Sequence, residues 1–94
     1  MTYSTVSHWD TTDWTDEMET LARDKFVPLV LGTGAQRTQM VRTGDRSFCV
    51  VTEYADADAA AAAQEKIAAI RAQAADELPM TLASTAGGEV FAGG

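Results

Sequence analysis

The chain has little of the material from which metal centres and disulfides are built. It contains one cysteine, Cys49, and one histidine, His8, in 94 residues. A lone cysteine excludes an internal disulfide and a cysteine-rich metal site. A lone histidine supplies a single ligand, which argues against a histidine-based metal site. We therefore expect no metal site, and the residues indicate no other cofactor.

Positive charge is also scarce. Seven lysines and arginines stand against 14 acidic residues, so the formal charge is −7 and the pI is about 4.4. Nucleic acids and anionic membranes bind clustered basic residues, which excludes both as expected partners. No run approaches the ~20 apolar residues of a membrane span. Residues 1–5 lack the basic start and apolar run of a signal peptide, so we expect a cytoplasmic protein.

A chain of 94 residues is predicted to form one domain, residues 1–94. Chains of this size bury only roughly 60–70% of the surface that their unfolded form exposes. Self-association is a natural way for such a small core to cover further apolar surface.

The spacing of apolar residues predicts two helices. Trp14, Met18, Leu21 and Leu29 mark one stripe, preceded by possible caps in residues 10–13, and Pro28 predicts a kink or break within residues 24–28. Residues 55–58 open the second helix with acidic caps, and Pro79 ends it. Its stripe is the most regular in the chain and consists of Ala63, Ile67, Ile70, Ala74 and Leu78.

Four strands are predicted around these helices, over residues 2–9, 35–43, 46–54 and 80–86. Residues 43–45 contain Gly44 and predict a hairpin between the second and third strands. Gly87 and Gly88 predict a bulge or a short extra strand at the end of the fourth. The order βαββαβ indicates a ferredoxin-like α+β fold, in which a four-stranded antiparallel sheet carries both helices on one face.

The other face of that sheet is expected to be covered by a second copy of the chain, since large apolar patches mark interfaces. Strand alternation divides the residues into two sets without saying which set meets the helices. One set contains Ser4, Val6, His8, Met40, Arg42, Phe48, Val50, Thr52, Tyr54 and Leu82. The other contains Tyr3, Thr5, Trp9, Gln39, Val41, Cys49, Val51 and Ala83.

Three segments form a recognisable pattern: the acidic first helix, then Leu31-Gly32-Thr33-Gly34-Ala35, and then the run from Phe48 to Asp56 that leads into the second helix. Together with the chain's length, they resemble the dimeric α/β-barrel superfamily, in particular its antibiotic-biosynthesis-monooxygenase-like group. The resemblance implies a homodimer whose sheets pair face to face into a barrel. It also implies a pocket in each protomer, either between sheet and helices or within the barrel.

The same resemblance implies cofactor-independent oxygenation of a small aromatic or polyketide-like substrate. The alternative is a non-catalytic small-molecule-binding or accessory module of the same fold. The chain contains no asparagine. The asparagine of the family's haem-degrading members is therefore missing, which argues against haem degradation and also weakens the match to quinone-forming monooxygenases.

His8 and Arg42 are the candidate catalytic residues. His8, grouped on one face with Arg42 and Tyr54, is a candidate general base, since histidine titrates near neutrality. Arg42 is a candidate anion-stabilising donor. The alternative for His8 is a surface residue at a strand end, and for Arg42 a solubilising charge on an edge strand.

Tyr54, Trp9 and Trp14 are the candidate walls of a substrate pocket, or else core residues. Cys49 is expected to be a buried, unreactive thiol. Gly32-Thr33-Gly34 lacks the third glycine of a dinucleotide-binding loop and follows a helix, so we do not interpret it as one.

Overall fold

A computed structural model describes residues 1–93, which form four strands and two helical regions. The strands are β1 (Tyr3–Thr11), β2 (Arg37–Gly44), β3 (Ser47–Tyr54) and β4 (Met80–Glu89). The first helical region lies between β1 and β2, and the second lies between β3 and β4. This is the predicted βαββαβ order.

The strands form one antiparallel sheet in the order β2-β3-β1-β4. The hairpin at Gly44 pairs β2 with β3, while the two helical connections bring β3 and β4 to either side of β1. This arrangement confirms the ferredoxin-like α+β fold that the sequence indicates.

The first helical region consists of α1 (Asp16–Leu21), a π-helical segment (Ala22–Phe26) and α2 (Val27–Leu31). It begins later than predicted because β1 continues to Thr11, and the cap is Thr15, whose hydroxyl accepts from the Met18 amide at 3.2 Å. Pro28 lacks an amide hydrogen, and just before it the Val27 amide donates to the Ala22 carbonyl, five residues back. Where a kink or break was expected, the helix contains one wider, π-helical turn and continues without interruption into α2.

The second helical region is α3 (Ala57–Glu77), whose cap Asp56 accepts from the Ala59 amide at 2.8 Å. Its buried stripe packs on the sheet, and Pro79 follows its end as predicted. Ala60 and Ala63 are 2% and 0% exposed, so the helix backbone approaches Tyr54 and Val30 closely. Small side chains along this stripe set the spacing between helix and sheet.

Cross-strand pairing decides which strand residues face the helices. Thr5 pairs with Thr52 and Trp9 with Phe48, so odd-numbered residues of β1 share a face with even-numbered residues of β3. The sequence-based sets grouped β1 in the opposite phase and are wrong for that strand. The pairing of Met40 with Val50 agrees with the grouping of β2 with β3.

The opposite side of the sheet has no helix over it and is called the open face here. Its apolar residues are Val6, Val41, Cys49, Val51 and Ala86. Val41 is 45% exposed, so apolar surface is available on this face. Of the helices that residues 1–93 form, none has both the length and the apolar content needed to cross a bilayer.

The fourth strand is more regular than predicted at its glycines. It runs through Gly87 and Gly88 without interruption, and its irregularity lies earlier, where His8 pairs with Ser84 but Trp9 pairs with Leu82. Ala83 is the extra residue, which makes a β-bulge. Gly87 lies against the Tyr3 ring, and a Cβ there would be 2.9 Å from the Tyr3 hydroxyl, so the ring would have to shift.

The close approach of α3 to the sheet predicts a strong position dependence within its alanine run. We expect Ala63→Leu to lower the free energy of unfolding by about 1–3 kcal/mol, because the added carbons have no space against Tyr54. The matched variant Ala62→Leu lies on the exposed side and should change it by less than about 0.5 kcal/mol. Urea denaturation measures both, and equal effects would contradict the packing described here.

Candidate functional site

An apolar cavity of about 80 Å³ lies between the helix-facing side of the sheet and the two helical regions. The sheet supplies Trp9, Met40, Phe48 and Val50, with Thr5, Ser7 and Thr52 as small polar groups. The helices supply Phe26, Ile67, Ile70 and Arg71 among others. This inner cavity is thus mostly apolar, as ligand pockets for small organic molecules usually are.

Two aromatic rings lie parallel along the inner cavity. Trp9 stacks on Phe48 with 6.2 Å between ring centroids and 4° between ring planes, and Trp14 meets Phe48 edge-on at 5.9 Å. Trp9 is 4% exposed and donates from its indole nitrogen to the Ser7 hydroxyl at 2.9 Å. Because its polar atom is satisfied and its ring is packed, Trp9 is a rigid part of the wall.

Among residues 1–93, Arg71 of α3 is the one charged residue that lines the inner cavity. Burial lowers the pKa of its guanidinium, and the charge interaction with the Tyr54 phenol raises it by a smaller amount. Within residues 1–93 the only ion pair joins Lys25 to Glu77, so Arg71 has no carboxylate partner there. An unpaired cation in apolar surroundings is a functional-site candidate.

The sequence does contain a signal for Arg71, although it was not recognised. Arg71 is four residues after Ile67 and three before Ala74, which places it on the buried stripe of α3. A long cation at a stripe position either extends to solvent or lines a cavity. The stripe alone does not distinguish these two outcomes.

A second, larger cavity of about 330 Å³ adjoins the first and is called the mouth here. The two share the five lining residues Ala22, Met40, Phe48, Leu78 and Met80. The mouth adds Trp14, Glu19, Arg23 and Arg42. Ala22 begins the π-helical segment, and Phe26, which ends it, lines the inner cavity.

Arg42 is held in place at the mouth by three contacts. Its guanidinium lies 4.2 Å from the ring centroid of Trp14. Its Nε donates to the Gly44 carbonyl at 3.1 Å, and its Nη2 donates to the Asp45 carbonyl at 2.9 Å. The hairpin and Trp14 therefore orient the cation before any ligand arrives.

His8 does not lie on the face that carries Arg42 and Tyr54, contrary to the sequence-based grouping. It pairs with Cys49 across β1 and β3 and is exposed on the open face, whereas both cavities lie on the helix side. The sequence-based grouping failed because it assigned the odd- and even-numbered residues of β1 to the wrong faces of the sheet. The proposed pairing of His8 with Arg42 in one catalytic site is therefore corrected.

Tyr54 lines neither cavity, so its predicted place in the pocket wall is also corrected. It is 1% exposed and packs in the core against Val30, Ala60, Ala63 and Ile67. Of the three predicted wall residues, Trp9 lines the inner cavity and Trp14 lines the mouth. Cys49 is buried, as expected.

No group of three histidine, cysteine, aspartate or glutamate side chains within residues 1–93 is placed to hold a metal ion. The inner cavity is lined there by no histidine, carboxylate, thiol or amine. Its chemistry is limited to apolar and aromatic contact, hydroxyl hydrogen bonds and the charge of Arg71.

Comparison with protein-family models finds no match, and comparison with curated protein sequences finds none either. Solved structures do match over almost the whole chain. HapK from Hahella chejuensis is 15% identical with a TM-score of 0.74, and 98% of this chain aligns with 95% of that one. SnoaB from Streptomyces nogalater, described as a cofactor-independent oxygenase, is 18% identical with a TM-score of 0.59, covering 99% and 94%.

A dimeric ferredoxin-like protein from an uncultured marine organism is also similar. It is 15% identical with a TM-score of 0.69, and the alignment covers 99% of this chain and 97% of that one. Identities this low establish the fold, while function has to be argued from the site. The chain therefore has the ferredoxin-like fold that these proteins share.

Proposed function

We propose that the chain is a cofactor-independent monooxygenase-like enzyme that oxidises a small aromatic or polyketide-like substrate, whose reacting ring lies in the inner cavity and whose remainder extends into the mouth. The observation that carries the proposal is a single cation, Arg71, in a cavity walled by the parallel rings of Trp9 and Phe48. Flat apolar walls favour a planar ring, and the guanidinium favours an oxygen on that ring that becomes negative. The structural similarity to SnoaB supports the proposal.

The proposed reaction uses the acidity of the substrate itself. An enolisable phenol of the anthrone type loses a proton from its methylene carbon to water and becomes an enolate. Its carbon then reacts with dioxygen, one oxygen atom becomes the new carbonyl, and the other leaves as water with the two methylene hydrogens. The substrate supplies all the electrons, and Arg71 stabilises the enolate oxygen by its charge.

A second candidate function is a non-catalytic module that binds the same class of molecule. One observation favours it, namely that no group able to act as a general base lines the inner cavity within residues 1–93. His8, the sequence-based candidate for that role, lies across the sheet. Binding without turnover is the outcome that would support this second function.

The open face is proposed to be the surface through which two copies of the chain pair. Val6, Val51 and Val41 give it an apolar centre, and no helix of the protomer covers them. A protein of the same fold is described as dimeric. In this arrangement His8 faces the second copy, so we assign it no role in the inner cavity.

The catalytic proposal predicts a specific effect of Arg71. With a dihydroxyanthrone as substrate, the protein should raise oxygen uptake above the uncatalysed rate. Arg71→Gln should lower kcat by about 10²–10³-fold, the usual cost of losing one donor to a developing oxyanion. An oxygen electrode measures this.

His8→Ala and Lys66→Gln are the controls for oxygen uptake, because His8 is on the open face and Lys66 is exposed on α3. Both should retain the wild-type rate. Arg71→Gln at the wild-type rate would contradict the catalytic role. Tight binding of the anthrone with no oxygen uptake would support the binding module.

A functional role for Arg71 also predicts that its charge opposes folding. Burial lowers its pKa, so the folded state disfavours the charged form, and arginine stays charged at every pH where the protein folds. Arg71→Met should therefore raise the free energy of unfolding, but by less than about 1 kcal/mol, because Arg71 is only half-buried and water screens its charge. Thermal denaturation measures the change, with Lys66→Met as the exposed control on the same helix. A clear loss of stability in Arg71→Met would identify Arg71 as a structural residue instead.

If two copies pair through their open faces, a charged side chain introduced on that face should dissociate the dimer. Val51→Lys should convert a dimer to a monomer in sedimentation velocity, because each interface would bury two unpaired cations. Val41→Lys is a second test that spares the protomer core, since Val41 is 45% exposed. Ala62→Lys on the exposed side of α3 is the control. Dimers that persist in both valine variants would contradict the proposed interface.

A further inference from the structure

Charge is distributed unevenly between the cavities and the rest of the surface. Of the chain's seven lysines and arginines, Arg23, Arg42 and Arg71 line the two cavities, whereas only Glu19 of its 14 acidic residues does so. The overall charge is −7. A site of net positive charge on an acidic protein attracts an anionic ligand and distinguishes it from a neutral one.

The positive charge at the mouth is oriented but not neutralised. Arg42 is fixed by the Gly44 and Asp45 carbonyls and by Trp14, none of which carries a formal charge in these contacts. Lys25–Glu77 is the only ion pair in the described residues, so neither Arg42 nor Arg23 is paired with a carboxylate there. A guanidinium held in this way retains donors and its full charge for a ligand.

Glu19 is the one negative group at the mouth. Its carboxylate accepts a hydrogen bond from the Trp14 indole nitrogen at 2.6 Å, which keeps it on the edge of the ring whose face Arg42 covers. Two arginines therefore oppose one carboxylate around the same opening. The net charge of the residues that line the mouth is therefore positive.

Resting on the proposed function, we infer that the substrate is an aromatic molecule that carries a carboxylate, with its ring in the inner cavity and its carboxylate at the mouth against Arg42 and Arg23. The inner cavity would have to strip water from a carboxylate, which is costly in apolar surroundings. Arg42 and Arg23 are exposed, so a carboxylate at the mouth gains two cations and keeps part of its hydration. Arg71 remains available for the ring oxygen.

The test compares two ligands that differ only in charge, an anthraquinone carboxylate and the carboxamide with the same ring substitution. Isothermal titration calorimetry at low salt should give a dissociation constant about tenfold lower for the carboxylate. Arg42→Gln should remove most of this preference while changing carboxamide affinity less than about twofold. Arg23→Gln should reduce the preference in part.

Glu19→Gln should change the preference for the carboxylate in the opposite direction from Arg42→Gln. Glutamine keeps an oxygen that can accept from Trp14 but removes the negative charge, so the preference for the carboxylate should increase. Lys66→Gln, an exposed cation remote from both cavities, should leave the preference unchanged. High salt should weaken the preference in the wild type.

The outcomes separate this inference from the proposed function. Equal affinity for the two ligands would overturn the inference and leave aromatic binding intact. A preference that survives Arg42→Gln but disappears in Arg71→Gln would also overturn it, because the carboxylate would then lie in the inner cavity. Failure of both ligands to bind would overturn the inference and the proposed function together.

Discussion

The pairing of Trp9 with Phe48 across the two central strands determines how the rest of the structure is arranged. Their rings stack on the helix side of the sheet, and Trp14 packs edge-on against Phe48 from the start of the first helical region. This register places every second residue of β1 and β3 toward the helices and the others on the open face. Of these three aromatic residues, Trp9 lines the inner cavity, Trp14 lines the mouth, and Phe48 lines both.

The two faces of the sheet have different roles because the helices cover only one of them. On the helix side, alanines hold α3 close to Tyr54, while the cavity lies nearer Ile67, Ile70 and Arg71. Burial lowers the pKa of Arg71, so its charged form is less favourable in this space than in water. On the open face, apolar residues are available to a second copy. The proposed ligand site and the proposed dimer surface are thereby separated by the thickness of one sheet.

The parts of the fold that depend on local pattern could be predicted, namely the element order, the hairpin at Gly44, and the start and end of α3. The phase of β1 could not, because its alternation is weak and places Val6 and Trp9, both apolar, on opposite faces. That single ambiguity put His8 beside Arg42. Pro28 indicated an irregular helix, but the wider turn depends on which carbonyl Val27 reaches. The sequence does not identify Arg71 as a cavity residue, because a long cationic side chain on a buried stripe can either extend to solvent or line a cavity.

In the proposed function, the ligand site lies between the sheet and the helices and not on the open face. Methyl-resolved NMR during titration with an anthraquinone carboxylate tests it directly. We expect chemical-shift changes and ligand contacts at the methyl groups of Ile67 and Ile70, which line the inner cavity. Val6, Val41 and Val51 on the open face should stay unchanged. Ligand contacts at these valines, with the isoleucines undisturbed, would contradict the claim and place the ligand between the sheets.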